Sequence, residues 1–177
     1  MNLLKDVKIG EKCPEEVNVV IEIPKGSVNK YEYDNEKGIF ILDRVLHSAV
    51  FYPGDYGFIP QTWYDDNDPI DALVLVTYPT FPGCIMKARP VALMKMEDEK
   101  GKDDKIVMVP VKDPRFDEIK DVDDIPKHLR DEITNFFETM KNLEKGKWVK
   151  VKSWEKASEA KKVINRAVEI YKKKFGE

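Results

Sequence analysis

The sequence predicts a mainly β protein of the α+β class, a small β-barrel with two α-helices packed on its outside. Short β-branched and apolar runs, separated by turns rich in Pro, Gly, Asn and Asp, continue as far as Val111. Beyond Pro126 the apolar residues change to helical spacing in two segments. Many short strands followed by helices are typical of such a barrel, so we expect one domain over residues 1–177.

Most strands are predicted from their apolar runs and the turns between them. The first strand contains Glu22, which either faces solvent in an alternating strand or points into a cleft. The segment 51–60 holds four aromatic residues, two glycines and two prolines, a composition that predicts a loop with rigid walls. The charges at 97–105 predict a solvent-exposed hairpin tip. The predicted strands are 17–24, 31–33, 39–46, 72–76, 84–96, 106–111 and 148–151.

Two amphipathic helices are predicted, at about 126–142 and 154–174. The first carries an apolar stripe that includes Ile133, Phe136 and Phe137, with polar residues between them. The second begins after Ser153, the expected N-cap, and ends in lysines that suit the negative end of the helix dipole.

Composition and charge argue against several classes of protein. The formal net charge is -3, from 30 basic and 33 acidic residues, which argues against general binding to nucleic acid or to a membrane surface. No apolar run has the length of a signal-peptide core or of a membrane span, so we expect a cytoplasmic protein. Charged residues form 36% of the chain, against about 25% on average, which hints at a thermophilic source.

The cysteines and histidines give no sign of a disulfide or a zinc site. Cys13 and Cys84 are far apart in the chain and form no CxxC pair, so we expect buried free thiols. His47 and His128 have no potential ligand at a suitable spacing, and we expect them to be surface or packing residues.

The most informative segment is 64–76, where four aspartates precede the most apolar run of the chain. Residues 72–76 have the composition of a strand buried on both faces, so Asp66, Asp68 and Asp71 would lie at its mouth. Two carboxylates about 4 Å apart repel by roughly 4 kcal/mol at an effective dielectric of about 20. Such a cluster needs cations or protons, and oxygen ligands favour magnesium or manganese over zinc.

Several common site motifs are missing from the sequence. The acidic loop, residues 64–71, is not an EF-hand. Alignment on Asp66 puts Asp71 where glycine is needed and Thr77 where glutamate is needed. No P-loop, dinucleotide fingerprint or serine-hydrolase elbow is present. Metal-binding carboxylates, with Lys, Arg and Tyr on neighbouring elements, instead suit phosphoryl transfer to water.

These motifs resemble those of the soluble family I inorganic pyrophosphatases over nearly the whole chain. The most specific is Asp66-Asn67-Asp68-Pro69-Ile70-Asp71, an Asp-x-Asp-Pro-x-Asp signature followed by apolar residues. The family II enzymes are ruled out, because they use an Asp-His-His motif and neither histidine here has a histidine neighbour. The other matching segments are 19–24, 30–32, 43–44, 51–57, 98–105 and 143–148.

The resemblance implies a fold, an activity and an assembly. The fold would be a five-stranded OB-like barrel with extra hairpins and two flanking helices. The activity would be hydrolysis of inorganic pyrophosphate to two orthophosphates in the cytoplasm, with several Mg²⁺ ions per active site and Mn²⁺ or Zn²⁺ as substitutes. Prokaryotic members are usually hexamers, so a homohexamer is expected, with pyrophosphate and phosphate as ligands and no nucleic-acid or membrane partner.

The resemblance also assigns roles residue by residue. Asp68 would orient and deprotonate the attacking water, and the metal ligands would be Asp66, Asp71, Asp98 and Asp103. The phosphates would be bound by Lys30, Arg44, Tyr56, Lys105 and Lys141, with Glu22, Glu32 and Tyr52 in supporting positions. One departure is Met140, where bacterial members commonly have tyrosine, so a phosphate-binding hydroxyl is missing.

Two other functions remain open from the sequence. A barrel of this kind is widely used to bind single-stranded nucleic acid, although the acidic loop would repel its phosphates. A metal-dependent phosphatase acting on organic phosphoesters would share the same chemistry and differ in the size of its pocket.

Overall fold

The structure, a computed structural model, describes residues 1–176 and confirms the predicted α+β class. The strands are β1 Val17–Ile23, β2 Asn29–Asp34, β3 Ile39–Val45, β4 Asp55–Phe58, β5 Asp71–Val74, β6 Ile85–Asp98, β7 Gly101–Lys102, β8 Lys105–Pro110 and β9 Val149–Lys156. The helices are α1 Lys127–Thr139 and α2 Ala157–Phe175, so the ends of both predicted helices are correct to within three residues.

Five strands close into a barrel in the order β1-β4-β5-β8-β6, and the pairing of β6 with β1 completes the ring. β5 and β8 run parallel, while the other four neighbouring pairs are antiparallel. Closure gives each of these five strands two neighbours within the barrel. The predicted five-stranded barrel is therefore confirmed.

Strand β5 is the buried strand that the acidic loop was predicted to precede. Ala72, Leu73 and Val74 are each 0% exposed, whereas Asp71 at the start of the strand is half-buried. The parallel register places Asp71 beside Lys105, the first residue of β8. The barrel therefore joins the acidic loop to the end of the charged hairpin that precedes β8.

Part of the segment predicted as a loop, 51–60, is strand β4 instead. Its composition is that of a turn, but tertiary packing decides its conformation. Gly57 pairs with Ile21, and a Cβ atom at this position would lie 1.9 Å from the carbonyl oxygen of Val20. Only glycine allows the two strands to approach so closely here, so this glycine marks a strand crossing and not a turn.

The remaining strands form ribbons around the barrel. β2 and β3 make the predicted hairpin, in which Lys30 pairs with Arg44. β6 extends beyond the barrel and pairs with β7, which forms the charged hairpin. β9 pairs with the outer part of β6 from Ala92 to Asp98 and is longer than the predicted strand 148–151.

The predicted N-cap of the second helix is wrong. Ser153 lies within β9, where its hydroxyl donates to Glu155 at 2.7 Å, and α2 begins only at Ala157. The amide of Ala157 donates to the Asp121 carboxylate at 2.8 Å. A residue 36 positions away in the chain thus caps the helix, and no local pattern could identify it.

The two helices cover different sides of the barrel. α1 buries Phe136 and Phe137, whose rings lie 4.8 Å from Tyr52 and 6.2 Å from Tyr56 respectively. α2 buries Ala160, Ile164, Ala167 and Tyr171 and ends in the three predicted lysines. The aromatic contacts of α1 form one wall of the pocket described below.

The cysteines are free, as predicted, but both are half-buried rather than fully buried. Each packs at the edge of the apolar cluster that contains Ile164 of α2. His47 and His128 are exposed, as expected. Within residues 1–176, neither helix is long and apolar enough to span a membrane.

Candidate active site

A pocket of about 530 Å³ opens at the end of the barrel between the acidic loop, the charged hairpin, the β2–β3 ribbon and α1. All but one of the residues named by the resemblance line it: Lys30, Glu32, Arg44, Tyr52, Tyr56, Asp66, Asp68, Asp71, Asp98, Asp103, Lys105 and Lys141. The exception, Glu22, lines a smaller adjoining pocket of about 170 Å³, which shares Lys30, Glu32, Tyr56, Asp68 and Asp71 with the first. Glu22 therefore faces a cleft.

The acidic loop is a tight turn that presents Asp66 and Asp68 to the pocket. The amide of Tyr64 donates to the carbonyl of Asp68 at 2.8 Å, and the amide of Asp68 donates to the Asp66 carboxylate at 3.2 Å. Asn67 between them has φ 64°, a left-handed conformation that asparagine tolerates better than most residues. Pro69 then leads the chain into β5, which starts at Asp71.

Lys105 is the buried cation at the centre of the pocket. It is 3% exposed, and its Nζ lies 2.6 Å from Asp71 Oδ2 and is also bonded to Asp103 Oδ1. Burial acts to lower the pKa of Lys105, but the charges of Asp71 and Asp103 outweigh it and raise that pKa above its usual range. The ammonium therefore stays charged and joins β5 to the charged hairpin.

Lys141 lies just after α1 and binds Asp98, at the start of the charged hairpin. Its Nζ donates to Asp98 Oδ2 at 2.8 Å and lies 3.7 Å from Glu99. Burial opposes the effect, but bonds from Lys141 and from the amide of Lys100 hold the pKa of Asp98 below its usual range. Met140 beside it is 5% exposed and belongs to both the apolar core and the pocket wall.

The β2–β3 ribbon contributes Lys30 and Arg44 to the opposite wall. Lys30 is paired with Glu32 and lies 3.6 Å from Asp43, which also bonds Arg44. The guanidinium Nε of Arg44 lies 3.0 Å from Glu144 Oε1. Both cations are thus held in place by carboxylates.

Several charged residues in or beside the pocket were not assigned a role from the sequence. Glu144 is 7% exposed and holds both Arg44 and Lys147, the latter at 2.8 Å. Glu144 lies in the segment 143–148 that matches the family. The local sequence does not show that its carboxylate contacts Arg44, which lies 100 positions earlier in the chain. Glu144 itself does not line the pocket, and the charged lining residues without an assigned role are Asp43, Asp65, Glu99, Lys100, Lys102 and Lys147.

Three carboxyl groups of the pocket and its adjoining cleft have raised pKa values. Burial, followed by repulsion from Asp71, raises the pKa of Asp66 and of Asp68 to about 6. Both side chains keep a solvent-facing surface, so the concave wall desolvates them only in part. Burial raises the pKa of Glu22 to about 8, although its carboxylate accepts a 2.8 Å bond from the Tyr33 amide.

The two tyrosines of the pocket are hydrogen-bond donors. Tyr52 and Tyr56 are 1% and 8% exposed, and this burial raises the pKa of each phenol well above its usual range. Both hydroxyls are therefore protonated at any physiological pH and can donate to an anion.

The donor set of the pocket fits a hard divalent cation in chemistry and in charge. Asp66, Asp68, Asp71, Asp98 and Asp103 offer only oxygen ligands, and the pKa values of Asp66 and Asp68 are raised first by burial and then by repulsion from Asp71. Among residues 1–176, no three acidic, histidine or cysteine side chains are arranged as a metal site. Instead, Lys105 bonds both Asp71 and Asp103. Metal binding by these aspartates therefore remains a prediction.

The fold and the site together place the protein in a structural class, that of small closed β-barrels with a polar pocket lined by both carboxylates and cations. The sequence matches the family described as Inorganic pyrophosphatase over residues 19–172. An inorganic pyrophosphatase from Haloferax volcanii is 55% identical over 175 residues, which are 99% of each chain. One from Thermus thermophilus is 52% identical over 171 residues, 96% of this chain and 98% of that protein.

The similarity extends to the fold. The crystal structure of inorganic pyrophosphatase from Thermus thermophilus superposes with a TM-score of 0.95 at 50% sequence identity, covering 97% of this chain and 99% of that one. Inorganic pyrophosphatase from Helicobacter pylori superposes with a TM-score of 0.91 at 44% identity, covering 94% and 99%. The chain belongs to the inorganic pyrophosphatase family.

Proposed function

We propose that this protein hydrolyses inorganic pyrophosphate to two orthophosphates and depends on Mg²⁺ to do so. The observation that carries the proposal is a single pocket in which five aspartates of the acidic loop and the hairpin face Lys30, Arg44, Lys105 and Lys141. Pyrophosphate is a small polyanion, and only a site that supplies several positive charges can bind it. The family relationship supports the same activity.

The cations of the pocket would hold the two phosphoryl groups. Lys105, Lys141 and Arg44 are each anchored by at least one carboxylate, which fixes their position before a substrate arrives. The hydroxyls of Tyr52 and Tyr56 remain protonated and would donate to phosphoryl oxygens. Bound Mg²⁺, held by Asp66, Asp71, Asp98 and Asp103, would neutralise phosphoryl oxygens and increase the acidity of the attacking water.

Asp68 is the residue we assign to the proton transfer. A water oxygen attacks one phosphorus, the bridging P–O bond breaks, and the proton released by the water moves to the Asp68 carboxylate. The pKa of about 6 suits this role, because a base works best when its pKa lies near the working pH. Within residues 1–176 no cation bonds the Asp68 carboxylate, whereas those of Asp71 and Asp98 accept bonds from Lys105 and Lys141.

The acidic lining also weighs against nucleic-acid binding. A single-strand site needs a continuous basic groove with exposed aromatic platforms. In this pocket the cations assigned to the phosphates are each paired with a carboxylate, and Tyr52 and Tyr56 are buried. The pocket therefore favours a small anion bound together with added cations.

The test is a comparison of turnover of pyrophosphate and of p-nitrophenyl phosphate by the purified protein in Mg²⁺ and then in Mn²⁺. We expect a strong preference for pyrophosphate in Mg²⁺ and loss of that turnover when EDTA is added, because the carboxylates would then repel the substrate. Equal or greater turnover of the ester would point to a general phosphatase. Pyrophosphate turnover that survives complete chelation would contradict the metal dependence.

We also propose that the protein acts in the cytoplasm as a homohexamer. Free thiols suit a reducing compartment. The β2–β3 ribbon exposes an apolar row that a neighbouring subunit could cover: Ile39, Ile41, Leu42 and Val45 are 38% to 54% exposed. A measurement of the molecular mass in solution tests the oligomeric state. A monomer at micromolar concentration would exclude the hexamer.

A further inference from the structure

Two buried polar residues, Tyr64 and Asp104, lie behind the aspartates of the pocket. They are 2% and 3% exposed, and neither lines the pocket itself. The Tyr64 hydroxyl donates to Asp104 Oδ2 at 3.0 Å, across 40 positions of the chain. Neither residue has a role in the function proposed above, although a buried carboxylate is costly unless the structure uses it.

The backbone of Tyr64 closes the acidic loop. Its amide donates to the Asp68 carbonyl at 2.8 Å, and its own carbonyl accepts from the amide of Asn67 at 3.1 Å. The turn that presents Asp66 and Asp68 therefore starts and ends on the backbone of Tyr64. Any displacement of Tyr64 would move both carboxylates.

Asp104 lies at the end of the charged hairpin, just before β8, as Tyr64 lies at the start of the acidic loop. It stands between Asp103 and Lys105, which both face the pocket while Asp104 points away from it. The amide of Asp103 is bonded to the carbonyl of Met96 at 2.9 Å, so the hairpin itself is short and regular. The Tyr64–Asp104 bond thus ties together the two segments that carry the predicted metal ligands.

Charged neighbours enclose this bond. Lys102 Nζ lies 3.2 Å from Asp104 Oδ2 and 5.0 Å from the centre of the Tyr64 ring. Arg166 of α2 lies 5.7 Å from the same ring and 2.6 Å from the carboxylate of Asp65. The Arg166–Asp65 pair is 53% and 34% exposed and so contributes little by itself. The buried Tyr64–Asp104 bond is the contact whose loss would cost the most, whereas Lys102 reaches Asp104 from the surface.

We propose that Tyr64 and Asp104 are positioning residues, whose hydrogen bond fixes the separation between the acidic loop and the hairpin and so prepares their aspartates to share divalent cations. The proposal rests on the proposed function for its metal, but the geometric part concerns the protein alone. Without this bond Lys105 still joins Asp71 to Asp103, but the loop and the hairpin are held at a less definite separation, and cation binding must first fix it.

The experiment compares Tyr64→Phe, which removes the donor, Asp104→Ala, which removes the acceptor, and the double variant with the wild-type protein. In metal-free protein we expect the amides of Asn67 and Asp103 to exchange with deuterium about three- to tenfold faster in each single variant. The Mg²⁺ concentration that half-saturates the protein, measured by titration calorimetry, should rise by about the same factor. The double variant should lose little more than either single variant, because both changes remove one contact.

Thr134→Val is the matched control. Trp154 Nε1 donates to Thr134 Oγ1 at 3.0 Å, so this change removes a side-chain bond of equal length between α1 and β9. It should leave Mg²⁺ binding and the exchange of Asn67 and Asp103 unaffected. If Tyr64→Phe and Asp104→Ala behave like Thr134→Val in both measurements, the positioning role is wrong. A wild-type protein that fails to hydrolyse pyrophosphate would refute the proposed function, and the exchange rates would still decide the positioning role.

Discussion

Asp68→Asn is expected to lower the turnover of pyrophosphate by about two to four orders of magnitude, the usual contribution of a general base. The amide is nearly the same size as the carboxylate but cannot accept a proton at neutral pH. Asp68 makes no side-chain bond to a described cation, unlike Asp71 with Lys105, so the change should not disturb the fold. Steady-state kinetics in saturating Mg²⁺, with circular dichroism of the same samples, measures both effects.

A neighbouring aspartate supplies the control for this variant. Asp65 lies in the same loop, and its carboxylate is held at the surface by Arg166 at 2.6 Å. Asp65→Asn should therefore lower turnover by less than about threefold, since exposed ion pairs contribute little. Near-normal turnover in Asp68→Asn, or an equal loss in Asp65→Asn, would remove the assignment of Asp68 as the base.

Lys105→Met is expected to destabilise the metal-free protein by about 2–4 kcal/mol, towards the low end for a broken buried pair because both carboxylates remain partly exposed. The ammonium of Lys105 is bonded to Asp71 and to Asp103, so the apolar side chain leaves two carboxylates facing each other. Bound Mg²⁺ would offer them another cation. The difference in unfolding free energy between variant and wild type should therefore shrink in Mg²⁺.

Urea unfolding in EDTA and in Mg²⁺ measures that difference. Lys12→Met serves as the control, because Lys12 pairs with Glu16 at 3.3 Å on the surface, where its side chain is 71% exposed. It should change the free energy of unfolding by less than about 0.5 kcal/mol in either buffer. A loss in Lys105→Met that is the same with and without Mg²⁺ would mean that the metal does not reach Asp71 and Asp103.

The sequence was most informative where a local pattern also decides the structure. The Val- and Leu-rich run after Asp71 could only be a buried strand, and the helical spacing of Ile133, Phe136 and Phe137 defined α1. Strand β4 was missed because Gly54 and Gly57 have the composition of a turn, while their actual role is to let the neighbouring backbone approach. That role depends on which strand lies opposite, and local composition does not contain this information.

The residues of the site also divide into those that a local sequence pattern identifies and those that only the tertiary structure brings together. Three of its aspartates were found from one short motif and the other two from the matching segment 98–105, but their partners come from distant parts of the chain. Lys105 meets Asp71 through parallel strand pairing, and Glu144 reaches Arg44 from beyond α1. The pair of Tyr64 and Asp104 shows no pattern in the sequence, because a tyrosine before an acidic loop is equally consistent with a core residue or with a surface turn.

The central claim is that the aspartates of the acidic loop and of the hairpin hold divalent cations in one pocket. Anomalous diffraction from crystals of the protein grown in Mn²⁺ tests it most directly, because the ion is located independently of any activity. The predicted result is at least one peak in contact with the carboxylates of Asp66, Asp71 and Asp103, with Lys105 released from one of its two partners. A map without a peak among these residues, and with Lys105 still bonded to both Asp71 and Asp103, would contradict the claim.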